Sequence, residues 1–394
     1  MKIFMMAMMT PVHVAGGMEY HTQALCEGLA RRGHDVTVIT GRHPKGLDCE
    51  EVNGVKTHYV GKKKAGSLYP VEYWEESAGK FEELCGNGCD IIHSQSFASW
   101  GVVRKGLHKK NKTPVVATIH GTFVDEVESA LNQGVSLKNF GSLLFHPLAH
   151  LTASLWNARA CSRIIVINKN LAELVPRIFF VGKDKIDLVY NGVDTSRFKP
   201  KPPSGEMVEK YGLEGKKAIM TTGALHRQKG VQYLIEALGM LDGKFVLLVA
   251  GEGPYRKELE KLVMNQGLND RVVFCGRLPN ELLNDYYSVA TAIVFPTVRV
   301  EGLPLVIPEA MASGKPVIAS EIGGIKDVIE DGVDGFLTTP ASPKDIAEKV
   351  RLVSEDRTLS EKICKAGARK ASEKFGLERM IDQTVQAYNK AAGI

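Results

Sequence analysis

The sequence predicts an α/β chain built from two doubly wound parallel sheets. Three observations predict it. Short continuous apolar runs alternate with helical periodicity along the whole chain, the pattern of parallel strands covered on both faces. The pattern stops at a Lys/Pro/Ser/Gly-rich stretch, 199–205, and begins again after it, as at a linker between two domains. The length of 394 residues suits two domains with separate cores.

The first half opens with an apolar strand over 2–8, a loop holding Gly16 and Gly17, and a helix with Met18, Leu25 and Leu29 on one face that stops at Gly33. Val36–Ile39 follows as the next strand, which makes a βαβ unit. No G-x-G-x-x-G occurs here, so the dinucleotide fingerprint is absent and a nicotinamide dehydrogenase is disfavoured. The Gly-Gly pair instead lets backbone approach a ligand closely. Further strands are expected at 55–60, 90–94, 114–120, 163–168 and 186–190. Ligands of open α/β sheets bind beyond the carboxyl ends of the strands, where His93 and His120 stand. Asn191-Gly192 is a turn signal before the linker.

The second half repeats the scheme, with strands at 218–222, 245–250, 272–275, 292–295, 317–320 and 335–338. The loop after the first, GALHRQKG (223–230), carries Arg227 and Lys229 behind Gly223; cations at a strand end suit a diphosphate. Gly251–Pro254 and Gly276–Leu278 are further strand-end turns. The segment VEGLPLVIPEAMASG (300–314) joins a strand to a helix and holds two carboxylates, Glu301 and Glu309, with seven residues between them. Pro304 suits the first helical position, and Pro308 implies an irregular first turn. A carboxylate, a row of N–H donors and a second carboxylate match the order of parts in a nucleotide sugar: sugar hydroxyls, diphosphate, ribose.

Composition bounds the rest. Apolar content of 44% and charged content of 24% are those of a globular protein. No apolar run reaches the roughly 20 residues of a membrane span. Seven scattered cysteines, an odd number, favour free thiols in a reducing, cytoplasmic setting. The net charge of +5 is mild. Interleaved aromatics for stacking bases are lacking, which disfavours nucleic acid as a partner. Lys62–Lys64, the basic residues 104–112 and the apolar stretch 134–160 leave two readings open: peripheral docking on anionic lipid, or a core helix with solvated lysines.

The run EGLPLVIPEAMASGKPVIAS, followed by GGIKDVIEDGVDGFL, closely resembles the donor-site motif of retaining glycosyltransferases of family 4. The resemblance covers nearly the whole motif and extends to DIIH (90–93), VVATIHGTF (115–123) and VYNGVDTSRFKP (189–200). It implies the GT-B fold, two Rossmann-like doubly wound domains facing across a cleft. The acceptor-side domain would span 1–196, joined by a terminal helix 377–394 crossing back, and the donor domain 197–376. The activity implied is retaining transfer of a hexosyl unit from a UDP- or GDP-sugar to a lipid, glycan or small-molecule acceptor. His120, Glu301, Arg227 and Lys229 would act on the sugar and leaving diphosphate. Gly16, Gly17, Gly223, Arg277, Leu278, Gly302, Leu303, Pro304, Leu305 and Glu309 would bind the donor. No cofactor or metal is expected: D-x-D is absent, and Arg227 and Lys229 can meet the diphosphate charge. The chain departs from the family pattern at Ala224, where arginine is usual. A nucleotide-sugar epimerase of the same fold and an inactive nucleotide-sugar-binding relative remain as alternatives.

Overall fold

A computed structural model describes residues 1–14, 16–61, 69–86, 88–131 and 152–394. These fall into two compact units. Unit 1 holds residues 1–123, 152–192 and 377–394; unit 2 holds residues 124–131 and 193–376. The short stretch 124–131 goes with unit 2 although the described residues before and after it in sequence, up to 123 and from 152, lie in unit 1. There the Val300 N–H donates to the Ser129 hydroxyl at 2.9 Å.

Unit 1 is an eight-stranded sheet. Its strands are β1 (Lys2–Met6), β2 (Asp35–Gly41), β3 (Cys49–Val52), β4 (Val55–Val60), β5 (Ile91–Gln95), β6 (Val115–Ile119), β7 (Arg163–Val166) and β8 (Ile186–Leu188), in the order β3-β4-β2-β1-β5-β6-β7-β8. All pairs are parallel except β3–β4. Strand β3 lies outside the expected set. Its signal is the Asn53-Gly54 dipeptide, with φ of 52° and 77°, which closes a tight hairpin. β1 is buried along almost its whole length, which is why it reads as an unbroken apolar run; β5 is buried throughout but ends in the polar residues His93, Ser94 and Gln95. Helix 17–31 closes through Gly33 at φ 82°, with His34 N–H reaching the Leu29 carbonyl at 3.2 Å, a left-handed glycine stop.

The terminal helix Leu377–Ala392 packs on this unit. Met380, Ile381 and Tyr388 join Ile3, Met5, Leu25 and Leu29 in one buried cluster. Arg32 adds ion pairs at 2.6 Å to both Glu378 and Asp382.

Unit 2 has six parallel strands: β9 (Lys217–Thr222), β10 (Phe245–Ala250), β11 (Val272–Gly276), β12 (Ala290–Phe295), β13 (Val317–Ser320) and β14 (Phe336–Thr338), in the order β11-β10-β9-β12-β13-β14. The order reverses at β9. Open sheets bind ligands at that reversal, beyond the carboxyl ends of the strands. In unit 1 the reversal falls at β1, whose following loop carries Gly16 and Gly17.

Candidate active site

In unit 2 the loops after β9 and β12 leave neighbouring strands at the point of reversal. The first, Gly223–Gly230, ends in a tight turn over Arg227–Lys229. Gly230 has φ 72°, and a Cβ there would lie 1.8 Å from the Pro296 carbonyl oxygen, so only glycine lets the two loops touch. That contact brings Lys229 to the β12 loop. Its Nζ meets Glu301 Oε1 at 2.7 Å and lies 5.4 Å from the Phe295 ring centroid. The Thr297 hydroxyl donates to the same carboxylate oxygen at 3.2 Å. The side chains are 24% and 13% exposed respectively. That burial takes the pair out of the class of surface ion pairs worth little.

Glu301 is held from the other side by Gly323 and Gly324. Gly324 N–H donates to the Glu301 carbonyl at 2.8 Å. Gly323 has φ 55°, and a Cβ there would sit 2.5 Å from that same carbonyl oxygen. Gly323→Ala is therefore expected to cost about 1–3 kcal/mol of stability and to lower activity by displacing Glu301. Thermal unfolding and kinetics together check it; an unchanged melting temperature and rate would show that the loop tolerates the shift.

The helix after this loop differs from expectation. It runs over Val306–Ala312 with Leu305 as its N-cap, two residues later than a start at Pro304. Pro308 is the reason: a proline is tolerated only in the first turn, since further in it clashes with the carbonyl four residues back. Residues 304–307 form a tighter turn, with Ile307 N–H on the Pro304 carbonyl at 3.2 Å. Seven residues make a short helix, so its dipole is a weaker anion lure than expected, and more of that task falls to side chains. Glu309 lies in the first turn of this helix. It is buried, and the Tyr287 hydroxyl donates to its Oε2 at 3.2 Å. Burial pushes its carboxyl up to about 7, against the opposing pull of Tyr287 and the Arg197 guanidinium.

The remaining unit 2 positions line the same edge of the sheet. Gly223 and Ala224 are exposed and, with Thr222, Lys229 and Phe295, border a small recess. Arg227 is exposed and makes no side-chain bond to any described residue. Arg277 is exposed and Leu278 half-buried, just past β11. Leu303 buries its side chain, so Gly302, Leu303, Pro304 and Leu305 offer a ligand mainly backbone.

In unit 1, Gly16 caps the helix that Gly17 begins. A Cβ on Gly17 would meet nothing within 4 Å, so that glycine borders open space. His120 follows β6; its Nε2 is 2.7 Å from Gln95 Oε1, and its ring packs edge-on against His21 with centroids 4.8 Å apart. His93 is fully buried, its ring nitrogens taken by Tyr388 at 2.5 Å and Thr118 at 2.8 Å. It is a structural residue. Gln95, His21 and Tyr287 were not among the expected site residues. The polar end of β5, His93-Ser94-Gln95, buried beyond two isoleucines, was the available signal for Gln95.

Residues 15–197 match the model of Glycosyltransferase Family 4, and residues 204–370 that of Glycosyl transferases group 1. An uncharacterized glycosyltransferase of Methanocaldococcus jannaschii is 30% identical over 401 residues, covering 99% of this chain and 98% of the relative. The chain belongs to the group 1, family 4-type glycosyltransferases. This glycosyltransferase is also similar to a D-inositol 3-phosphate glycosyltransferase of Xylanimonas cellulosilytica, at 27% identity over 96% of this chain and 92% of the relative. Among solved structures, sucrose-phosphate synthase from Thermosynechococcus elongatus superposes with a TM-score of 0.83 at 22% identity, covering 99% of this chain and 98% of the other. Anabaena HepE in complex with UDP-glucose gives 0.76 at 19% identity, covering 98% of both chains. The two sheets and these likenesses establish the GT-B fold. Among the described residues, no helix is long and apolar enough to cross a membrane. Lys62–Lys64 and most of 134–160 lie outside the described residues.

Proposed function

We propose that this glycosyltransferase moves a hexosyl unit from a nucleoside diphosphate sugar to an acceptor hydroxyl with retention at the anomeric carbon. The observation that carries this reading is the Lys229–Glu301 pair at the point of strand reversal in unit 2, with Glu309 eight residues further on in the first turn of the following helix. Lys229 would meet the diphosphate as negative charge grows on it, Glu301 the sugar hydroxyls, and Glu309 the ribose diol. Stabilising charge that develops in the transition state is commonly the largest catalytic term. Arg227, free and three residues beyond Ala224, would supply a second cation. In unit 1, His120 is assigned to the sugar.

The reaction breaks the bond from the anomeric carbon to the leaving phosphate oxygen. A bond from the acceptor oxygen forms on the same face. The acceptor proton passes to the leaving phosphate. If Lys229 and Arg227 answer the diphosphate charge as proposed, transfer should persist in chelator; its loss there would overturn the metal-independent part of the reading. The similarity to HepE, solved with UDP-glucose, supports a UDP-sugar as the first donor to try, with GDP-sugars beside it.

The test is calorimetric titration with UDP and GDP and their hexose conjugates, followed by NMR of the product. Micromolar binding of one base series and an unchanged anomeric configuration support retaining transfer. An inverted product refutes retention. Interconversion of the donor sugar without any acceptor would make the protein an epimerase. Binding without turnover would make it an inactive relative.

A further inference from the structure

We propose that Gln95 is a positioning residue: it holds His120 in the tautomer with the proton on Nε2, so that Nδ1 presents a lone pair to a hydroxyl of the donor sugar. The proposal rests on the assignment of His120 to the sugar made above.

The argument begins with register. β5 and β6 pair in parallel with Gln95 opposite Thr118, so Gln95 closes its strand beside the chain that turns out to His120. The side chain of Gln95 is buried at 2% exposure and has two hydrogen-bond partners among the described residues. Its Oε1 lies 2.7 Å from His120 Nε2, and its Nε2 lies 3.3 Å from Met5 Sδ. A thioether sulfur accepts weakly and never donates. Turned the other way, the amide would set its oxygen against that sulfur and bond nothing there. The amide N–H therefore faces Met5 and the carbonyl faces the ring. A carbonyl oxygen only accepts, so His120 Nε2 must be the donor. In an uncharged imidazole the other nitrogen then carries the lone pair. Nδ1 of His120 bonds no described residue.

The surroundings keep the ring uncharged. His120 titrates well below the usual histidine range, first through burial and then through the neighbouring His21 and His93. Among the described residues, the titratable groups that act on it are His21, from helix 17–31, and His93, from β5. Each is itself held uncharged by burial, His21 at about 4 and His93 at about 3. His21 has both ring nitrogens buried without partners, so a proton placed on it would find nothing to accept it. The ring packs edge-on to His120 at 4.8 Å and limits its rotation. An amide is the side chain this arrangement needs. A carboxylate in its place would also accept from Nε2–H but would draw a second proton onto the ring and abolish the lone pair.

The experiment uses the full chain with ¹⁵N-labelled histidine. Long-range ¹H–¹⁵N spectra should show His120 as the Nε2–H tautomer, without titration from about pH 5.5 to 8.5. Gln95→Glu should raise the His120 pKa by about 1–3 units relative to wild type and give kcat an acid limb that wild type lacks, with activity recovering at high pH. Gln95→Leu should lower kcat about tenfold or more while leaving the affinity for UDP or GDP unchanged. An Nδ1–H tautomer in wild type overturns the proposal, as does a Gln95→Glu enzyme whose pH profile matches wild type. The expected tautomer in a protein that transfers no sugar would instead refute the transfer reading, since the spectra do not depend on turnover.

Discussion

Lys229→Ala is expected to lower kcat by about 10²–10³-fold, the cost of removing one preorganised donor from developing negative charge. The effect should fall on kcat more than on donor affinity, because the charge on the bridging oxygen grows as the glycosidic bond breaks. The free enzyme complicates the measurement. Lys229 is bound to Glu301 at 2.7 Å, and Glu301 is only 13% exposed. Truncating the lysine leaves that carboxylate with the Thr297 hydroxyl as its remaining side-chain partner, at a cost of roughly 1–3 kcal/mol. The double variant Lys229→Ala/Glu301→Gln removes both the charge and its stranded partner. If the single variant loses its rate only by unfolding, the double variant should regain stability and turn over as fast as Glu301→Gln alone. If Lys229 stabilises the leaving group, the double variant regains stability but stays far slower than Glu301→Gln alone. Assays at a temperature where both are folded, with unfolding followed in parallel, separate the two. A wild-type rate in the folded single variant would remove Lys229 from the mechanism.

Much of this was legible in the sequence because the sheets are parallel. A strand covered on both faces is apolar throughout, so β1, β10 and β12 stand out without reference to the rest of the chain. The edge strand β3 reads Cys-Glu-Glu-Val and is largely exposed; with one face and one edge in water it needs no apolar run, and only its Asn-Gly turn betrays it. The helix start at Val306 rather than Pro304 turned on which of two prolines governs. The rule for first-position prolines favours the former, but the steric limit at Pro308 prevailed. The functional pair was the least legible part. Lys229 and Glu301 each stood out locally, but the bond between residues 72 apart depends on β9 and β12 lying side by side and on Gly230 and Gly323 closing the loops. Gln95 and His21 were hidden for a related reason: each matters only through a ring that another strand delivers.

Donor affinity should fall as pH drops through 7. The cause is Glu309, whose carboxyl is pushed up to about 7 by burial, with Tyr287 and Arg197 opposing. A ribose diol donates two hydrogen bonds and needs the ionised form. Below that pKa the donor must first displace a proton, so affinity should weaken by about tenfold per pH unit as the protonated fraction comes to dominate. Calorimetry at pH 6 should register proton release as a dependence of the binding heat on buffer ionisation enthalpy. Stability must run the opposite way. A folded pKa raised above the ordinary 4.5 means the native state holds its proton more tightly than the unfolded chain. This contribution to stability is full below about 4.5 and is lost as pH rises through about 7. The donor-free enzyme should therefore gain stability from this group on mild acidification while losing its grip on the donor. Glu309→Gln cannot titrate and should flatten both trends. Glutamine keeps one acceptor oxygen for Tyr287 and for one ribose hydroxyl, so the variant should fold and bind the donor about 10–100-fold more weakly at pH 8. Opposed pH trends that both vanish in Glu309→Gln would tie the buried carboxylate to the ribose. If affinity keeps its slope in the variant, the ribose contact lies elsewhere, and Glu309 serves the packing of Tyr287 alone.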